Sequence, residues 1–182
     1  MYQHFKTRAE GVGAKVHRCA TSQEALDFVL SFLAGEGVAE QPQCSAVWAD
    51  SPFLAAVDRQ VLNKVSGLKL EVTRATAAEA KFGITQLDWA LADTGTLVQD
   101  ATAIEERLAS SLCSIHIALV PTAGLLPDLP SLLTRLTPAE SSYIAMITGP
   151  SRTADIERVL TIGVHGPERL VIVFVDDLGG KS

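Results

Sequence analysis

Three short segments rich in Gly, Ser and Thr hold the residues of this chain best suited to chemistry. The first, Gly149-Pro150-Ser151-Arg152-Thr153-Ala154-Asp155-Ile156-Glu157, follows the apolar run Tyr143-Ile144-Ala145-Met146-Ile147 and leads into Ile156, Val159 and Leu160 at helical spacing. A buried strand turning into a helix there would set unpaired backbone N–H groups and the positive end of a helix dipole beside Arg152, an anion-receiving corner. Ser151 or Thr153 would cap the helix, and Asp155 would complement its first turn. A plain strand–helix turn with a surface arginine accounts for the local sequence equally well. A helix terminus contributes roughly 0.3–2 kcal/mol and an arginine hydrogen bond roughly 1.5–3 kcal/mol. Together they would hold an anion only at about millimolar affinity, so other loops must contribute.

The second segment is Asp93-Thr94-Gly95-Thr96. Small hydroxyl residues around a glycine let a backbone approach a ligand closely, although a turn satisfying its own polar groups is the simpler reading. The third is Gly163-Val164-His165-Gly166-Pro167. A loop histidine titrates near neutrality and suits acid, base or ligand roles, whereas Gly163 and Pro167 also fit a helix end. His165 and Asp93 are the candidate catalytic groups. Arg107, before Ser110 and Ser111, is a candidate second cation, and His116 reads as a hydrogen-bonded core residue. Gly179-Gly180-Lys181-Ser182 imitates the end of a phosphate loop, but Val175 stands where its first glycine is required. Ser66-Gly67-Leu68-Lys69 has serine–lysine spacing without supporting motifs.

These segments need a frame. Val16 to Cys19 reads as a strand, and Ser22 as the N-cap of a helix with Ala25, Leu26, Val29, Phe32 and Leu33 on one face. Ser45 to Ala49 is a short buried strand. Ser51-Pro52 opens a helix carrying Phe53, Leu54, Val57, Val61, Leu62 and Val65, and Leu68 to Val72 is a further strand. Trp89 to Ala92 and Thr96 to Val98 flank a tight turn. Ile115 to Val120, Tyr143 to Thr148 and Leu170 to Val175 lack polar alternation, as strands covered on both faces do. Pro127 to Leu136 and Thr153 to Thr161 supply helices between them. The expected fold is α/β, a three-layer sandwich with a mostly parallel central sheet, in a single domain over 1–182. In such sheets ligands lie at the strand carboxyl ends, where the three loops are expected to meet.

The chain has 182 residues, 47% hydrophobic and 20% charged, with a net charge of −6. The absence of a basic stripe disfavours nucleic acid. No apolar stretch is long enough to cross a bilayer, and Met1 to Lys6 lacks the apolar core of a signal peptide, so a cytoplasmic protein is expected. Cys19, Cys44 and Cys113 are widely separated and form no CxxC pair, which predicts no metal site, no iron–sulfur cluster and no cofactor in this chain.

Taken together the motifs resemble the LutC/YkgG lactate-utilization family, or LUD domain. The matching residues are Gly83-Ile84-Thr85, Ala90 to Val98 with Asp93-Thr94-Gly95-Thr96 at its centre, Arg107, Ser111-Leu112, His116-Ile117-Ala118 and Val120. They continue with Gly149 to Glu157 and Gly163 to Pro167. The resemblance covers the second half to two-thirds of the chain. It implies a fold similar to ribose-phosphate isomerases and CoA transferases, and a place in a cytoplasmic system oxidising L-lactate to pyruvate. The partner subunits of such systems carry iron–sulfur clusters. The glycine-rich motif of the related formyltetrahydrofolate cyclo-ligases is missing, and no loop glutamate matches the covalent carboxylate of CoA transferases.

The expected function is therefore a non-metal subunit or ligand-binding component of that system. Thr94, Gly95, Thr96, Arg107, Gly149, Ser151, Arg152, Thr153 and His165 would converge on a small anionic ligand. Two alternatives remain. One is a stand-alone isomerase or acyl/CoA-transfer enzyme acting on a phosphorylated or thioester metabolite, with His165 or Asp93 as base. The other is a module whose loops form a protein interface.

Overall fold

The computed structural model of the chain describes residues 1–137, 141–153, 161–162 and 165–180. The first half runs α1 (Tyr2–Gly11), β1 (Lys15–Cys19), α2 (Ser22–Gly35), β2 (Ser45–Trp48), α3 (Pro52–Ala55), α4 (Arg59–Leu62), β3 (Leu68–Lys69), α5 (Arg74–Glu79) and β4 (Ala80–Gln86). The second half runs β5 (Trp89–Leu91), β6 (Thr96–Asp100), α6 (Ile104–Leu112), β7 (Ile115–Pro121), β8 (Leu125–Leu126), α7 (Leu129–Leu133), β9 (Ile144–Ile147), β10 (Arg152–Thr153), β11 (Thr161–Ile162) and β12 (Arg169–Val175).

Six strands form an all-parallel central sheet in the order β1-β12-β7-β4-β2-β3. Every residue of β7 is buried, because both faces of the sheet are covered. On one face Ile115, Ile117, Leu119, Val171, Val173 and Val175 pack against α2, α3 and α4 through Leu26, Val29, Leu33, Phe53, Leu54 and Leu62. The alternate residues, Ala118, Val120, Leu170, Ile172 and Phe174, meet Phe5 and Ala9 of α1 and Ala90 and Leu97 of a second sheet. Helices α5 and α6 cover the rest of that face through Ala77 and Ala109. The α/β three-layer sandwich with a mostly parallel central sheet is therefore observed.

The second sheet has the order β8-β5-β6-β9, and β9 pairs antiparallel with β6. This corrects one expectation. The apolar run at Tyr143 to Thr148 is not a central strand but the edge of this small sheet, with Tyr143 and Met146 about half exposed. The helix expected over Thr153 to Thr161 is also corrected at its described ends. Arg152–Thr153 pairs antiparallel with Thr161–Ile162, and residues 154–160 lie outside the described residues.

Local chemistry explains other boundaries. The Thr21 hydroxyl caps α2 by accepting from Glu24 N at 3.1 Å, so Ser22 is the first helical residue rather than the cap. Ser51 caps α3 with Pro52 behind it, as its sequence predicts. The long helix expected there breaks at Asp58, whose carboxylate accepts from Gln60 N at 2.8 Å and starts α4. The strand expected from Leu68 to Val72 keeps only Leu68–Lys69, and the helix expected over Pro127 to Leu136 shortens to Leu129–Leu133.

Candidate functional site

The six strands of the parallel sheet begin at Lys15, Ser45, Leu68, Ala80, Ile115 and Arg169, and the turns just before β1 and β12 gather the sequence motifs at this amino edge. Gly95 has φ +69°, and a Cβ there would stand 2.5 Å from Ala9 N, so the β5–β6 turn lies directly on α1. Gly149 has φ +68° and sits against the Val12 carbonyl, where a Cβ would approach to 2.9 Å. Both positions require glycine for conformation and for space. Thr96 Oγ1 lies 2.8 Å from Thr148 Oγ1, tying the first turn to the second. Ser151 N donates to Pro167 O at 2.8 Å, which brings in the third. The described parts of the three motifs touch, but at the amino edge of the sheet instead of its carboxyl edge. Their placement follows from β9 running in the small sheet, so that the chain leaves it beside α1.

Arg152 has a defined partner. Its Nη2 donates to the main-chain carbonyl of Val12, the C-cap residue of α1. A cation there satisfies a carbonyl orphaned at the helix end and offsets the negative end of the dipole. The side chain expected to receive an anion thus also caps a helix from across the fold. Thr153, the next residue, pairs with Thr161 in the β10–β11 ladder.

The remaining candidates separate into two clefts. Asp93 and Thr94, both exposed, line an open cleft of about 670 Å³ with His4, Thr7, Arg8, Gly11 and Val12. His165 and Gly166 line another, of about 410 Å³, with Ser111, Leu112, Cys113, Ser114 and Glu168. His165 and Asp93, the paired catalytic candidates, therefore do not share a cavity. The His165 cavity faces the carbonyl end of α6 and the Glu168 carboxylate, surroundings that repel an anion. Gly163 and Val164 lie outside the described residues.

Arg107 does not join the motifs. Its Nη1 donates to Ala101 O at 2.8 Å, and its guanidinium lies 4.8 Å from the Tyr143 ring centre. Ala101 and Tyr143 adjoin the Asp100–Ile144 pair, the opposite end of β6 from Thr96. A carboxyl-edge crevice of about 220 Å³ is lined by Ser51, Gln86, Asp88, Asp100 and Glu106 among others. His116 is a core residue, as expected: it is fully buried and 2.8 Å from Thr85 Oγ1, and burial lowers its pKa to about 4. Burial likewise pushes the Cys113 thiol up to about 12, which removes it as a nucleophile near neutrality. Among the described residues no three His, Cys, Asp or Glu side chains form a group able to hold a metal. No described helix is long and apolar enough to cross a membrane.

Sequence reasoning missed His4, Thr7 and Arg8. Their spacing places them on one side of α1, but a helix burying little besides Phe5 and Ala9 gives a weak periodic signal.

The fold and these motifs have known counterparts. The model of the LUD domain matches residues 2–175. The chain belongs to the LUD domain family. Among curated relatives, this LUD domain is 38% identical over 114 residues to "Lactate utilization protein C" of an Exiguobacterium species, covering 59% of this chain and 50% of that protein. It is 36% identical over 143 residues to the protein of the same name from Macrococcus caseolyticus, covering 71% and 60%. The Bacillus subtilis protein of that name is 37% identical over 107 residues, covering 56% and 45%. The LUD domain described here thus spans about half the length of the curated relatives it matches. A crystal structure of a DUF162 family protein from Deinococcus radiodurans superposes with a TM-score of 0.66 at 18% identity, covering 96% of this chain and 95% of that one, and shares the fold.

Proposed function

We propose that this LUD domain, one folded unit over 1–182, serves a cytoplasmic system that oxidises L-lactate to pyruvate, as its non-metal, ligand-binding component. Iron–sulfur partner proteins would carry the electrons. The amino-edge loops around Val12 would receive a small anionic ligand, with Thr94, Gly95, Thr96, Gly149, Ser151, Arg152 and Thr153 as the site. The observation that carries this reading is the junction itself. Two glycine turns and Arg152 rest on one helix end, linked by the Thr96–Thr148 contact of 2.8 Å. Such a junction holds the Arg152 guanidinium in a fixed position before a ligand arrives, which lowers the ordering cost of binding. Similarity to lactate utilization proteins supports the choice of system.

The test is co-purification and growth in a strain deleted for this chain. Tagged full-length protein is expected to retain iron–sulfur proteins from lactate-grown cells and to restore growth on L-lactate. Restoration by wild type, but not by a folded Arg152→Ala variant, supports the site. Restoration by both removes it, and no growth defect in the deletion strain removes the system.

A further inference from the structure

We propose that the cleft between α1 and the β5–β6 turn is the seat of a small 2-hydroxycarboxylate, with Arg8 facing its carboxylate and Asp93 its hydroxyl. The choice of ligand class rests on the lactate-utilization reading; the division of roles rests on the two walls of the cleft.

The first wall is helical. His4, Thr7, Arg8 and Gly11 follow one another at i, i+3, i+4 and i+7, a single stripe on α1, and all four line the cleft. Arg8 Nε donates to His4 Nε2 at 3.4 Å, which sets the guanidinium along this wall. A guanidinium presents its donors as a planar fork matched to a carboxylate. The second wall is the turn at Asp93 and Thr94. It is fixed by Ala92 N to Leu126 O at 2.9 Å and Asp93 N to Pro127 O at 3.1 Å, and by Gly95 seated on Ala9. Asp93 lines the cleft and is exposed, and among the described residues its side chain makes no hydrogen bond or ion pair, which leaves its oxygens able to accept from a ligand.

The walls differ in charge. An ionised carboxylate accepts hydrogen bonds and repels a second anion, so Asp93 orients a ligand that carries a donor at one end and a carboxylate at the other. A 2-hydroxy acid has both on adjacent carbons. Gly11 and Val12 give an apolar floor for a short alkyl group. The α1 carboxyl end would ordinarily oppose an anion there, and Arg152 on the Val12 carbonyl offsets it. Arg152 thus acts as a positioning and electrostatic residue for a ligand held by Arg8.

The experiment is an NMR titration of the full chain with L-lactate, and with propionate, which lacks the hydroxyl. L-Lactate is expected to shift the amides of Thr7, Arg8 and Thr94 at about millimolar concentration. Arg8→Gln should weaken binding by about tenfold or more, while Lys64→Gln, on an exposed residue remote from the cleft, leaves it unchanged. Asp93→Asn should reduce the preference for L-lactate over propionate. Melting temperatures and unperturbed spectra outside the cleft show that the variants fold. Shifts confined to the His165 cavity, equal binding of propionate and L-lactate, or wild-type affinity in Arg8→Gln would each overturn the proposal while leaving the system role intact. Loss of the system role would instead appear as normal lactate growth in the deletion strain, whatever the titration gives.

Discussion

Arg152 reaches across 140 residues of sequence to donate a hydrogen bond to the main-chain carbonyl of Val12. This contact joins β10 to the end of α1; Val12 lines one cleft of the amino edge, and Gly166, beside Ser151, lines the other. A side chain that looks like a ligand contact therefore also holds together the surface on which a ligand would rest.

Removing that contact should loosen α1 before it unfolds the domain. Arg152→Ala is expected to cost about 1 kcal/mol, as one exposed charge-assisted hydrogen bond at a helix end does. Amide exchange should quicken around Val12 to Ala14, and Arg152→Lys should recover part of the loss. Unchanged exchange in both variants would show that the contact carries no stability.

The turn at Gly95 makes a sharper demand. With φ +69° and Ala9 N only 2.5 Å from an added Cβ, Gly95→Ala must strain the turn and push it from α1. A loss of at least about 2 kcal/mol is expected in urea unfolding. Gly35→Ala, at the last residue of α2 with nothing within 4 Å of the added Cβ, should instead be neutral or stabilise by up to about 0.5 kcal/mol. Equal effects at the two positions would contradict this account of the turn.

Acid should act through His116. Its pKa is about 4 in the fold against 6.5 for the free side chain, because burial opposes the charged form. The folded state therefore binds fewer protons than the unfolded state between those values, and stability falls as pH drops from about 6.5 towards 4. The loss amounts to about 3 kcal/mol across that window. His116→Gln, whose amide can still meet Thr85 Oγ1, should flatten the pH dependence of the melting temperature there. A slope unchanged from wild type would assign acid sensitivity to other groups.

Glu36 and Arg169 form a two-pronged pair, with contacts of 2.7 and 2.9 Å, joining the end of α2 to the start of β12. The hydrogen bonds from Arg169 hold the Glu36 carboxyl below its ordinary pKa, so this contribution is present above the unfolded value and fades as pH falls through the folded one. Partial exposure limits its size. Glu36→Gln is expected to cost about 1 kcal/mol at neutral pH and nothing measurable in strong acid. The comparison of urea midpoints at the two pH values checks it.

The sequence made two central strands and one cap legible for clear reasons, while the central strand β4 went unread and the cap expected at Ser22 falls to Thr21. Ile115 to Val120 and Leu170 to Val175 lack polar alternation because layers cover both faces, and Ser51-Pro52 carries its own cap chemistry. The resemblance of Ala90 to Val98 and Gly149 to Glu157 to the LUD domain agrees with the family match over residues 2–175. What those segments pack against was not legible. An apolar run states that a strand is buried, not which sheet owns it, and β9 joined the small sheet. That one assignment moved the motifs from the carboxyl edge to the amino edge, and with them went the expected grouping of Arg107, Asp93 and His165. Helix α6 stayed hidden because Ala109 is its one buried residue, and α1 because it buries chiefly Phe5 and Ala9.

The most direct measurement of the central claim follows isotopically labelled L-lactate into pyruvate in cells lacking this chain, with the full-length protein or its Arg152→Ala variant supplied back. The account predicts that pyruvate labelling collapses in the deletion, returns with the wild-type chain and stays low with the folded variant. Undiminished labelling in the deletion would contradict it.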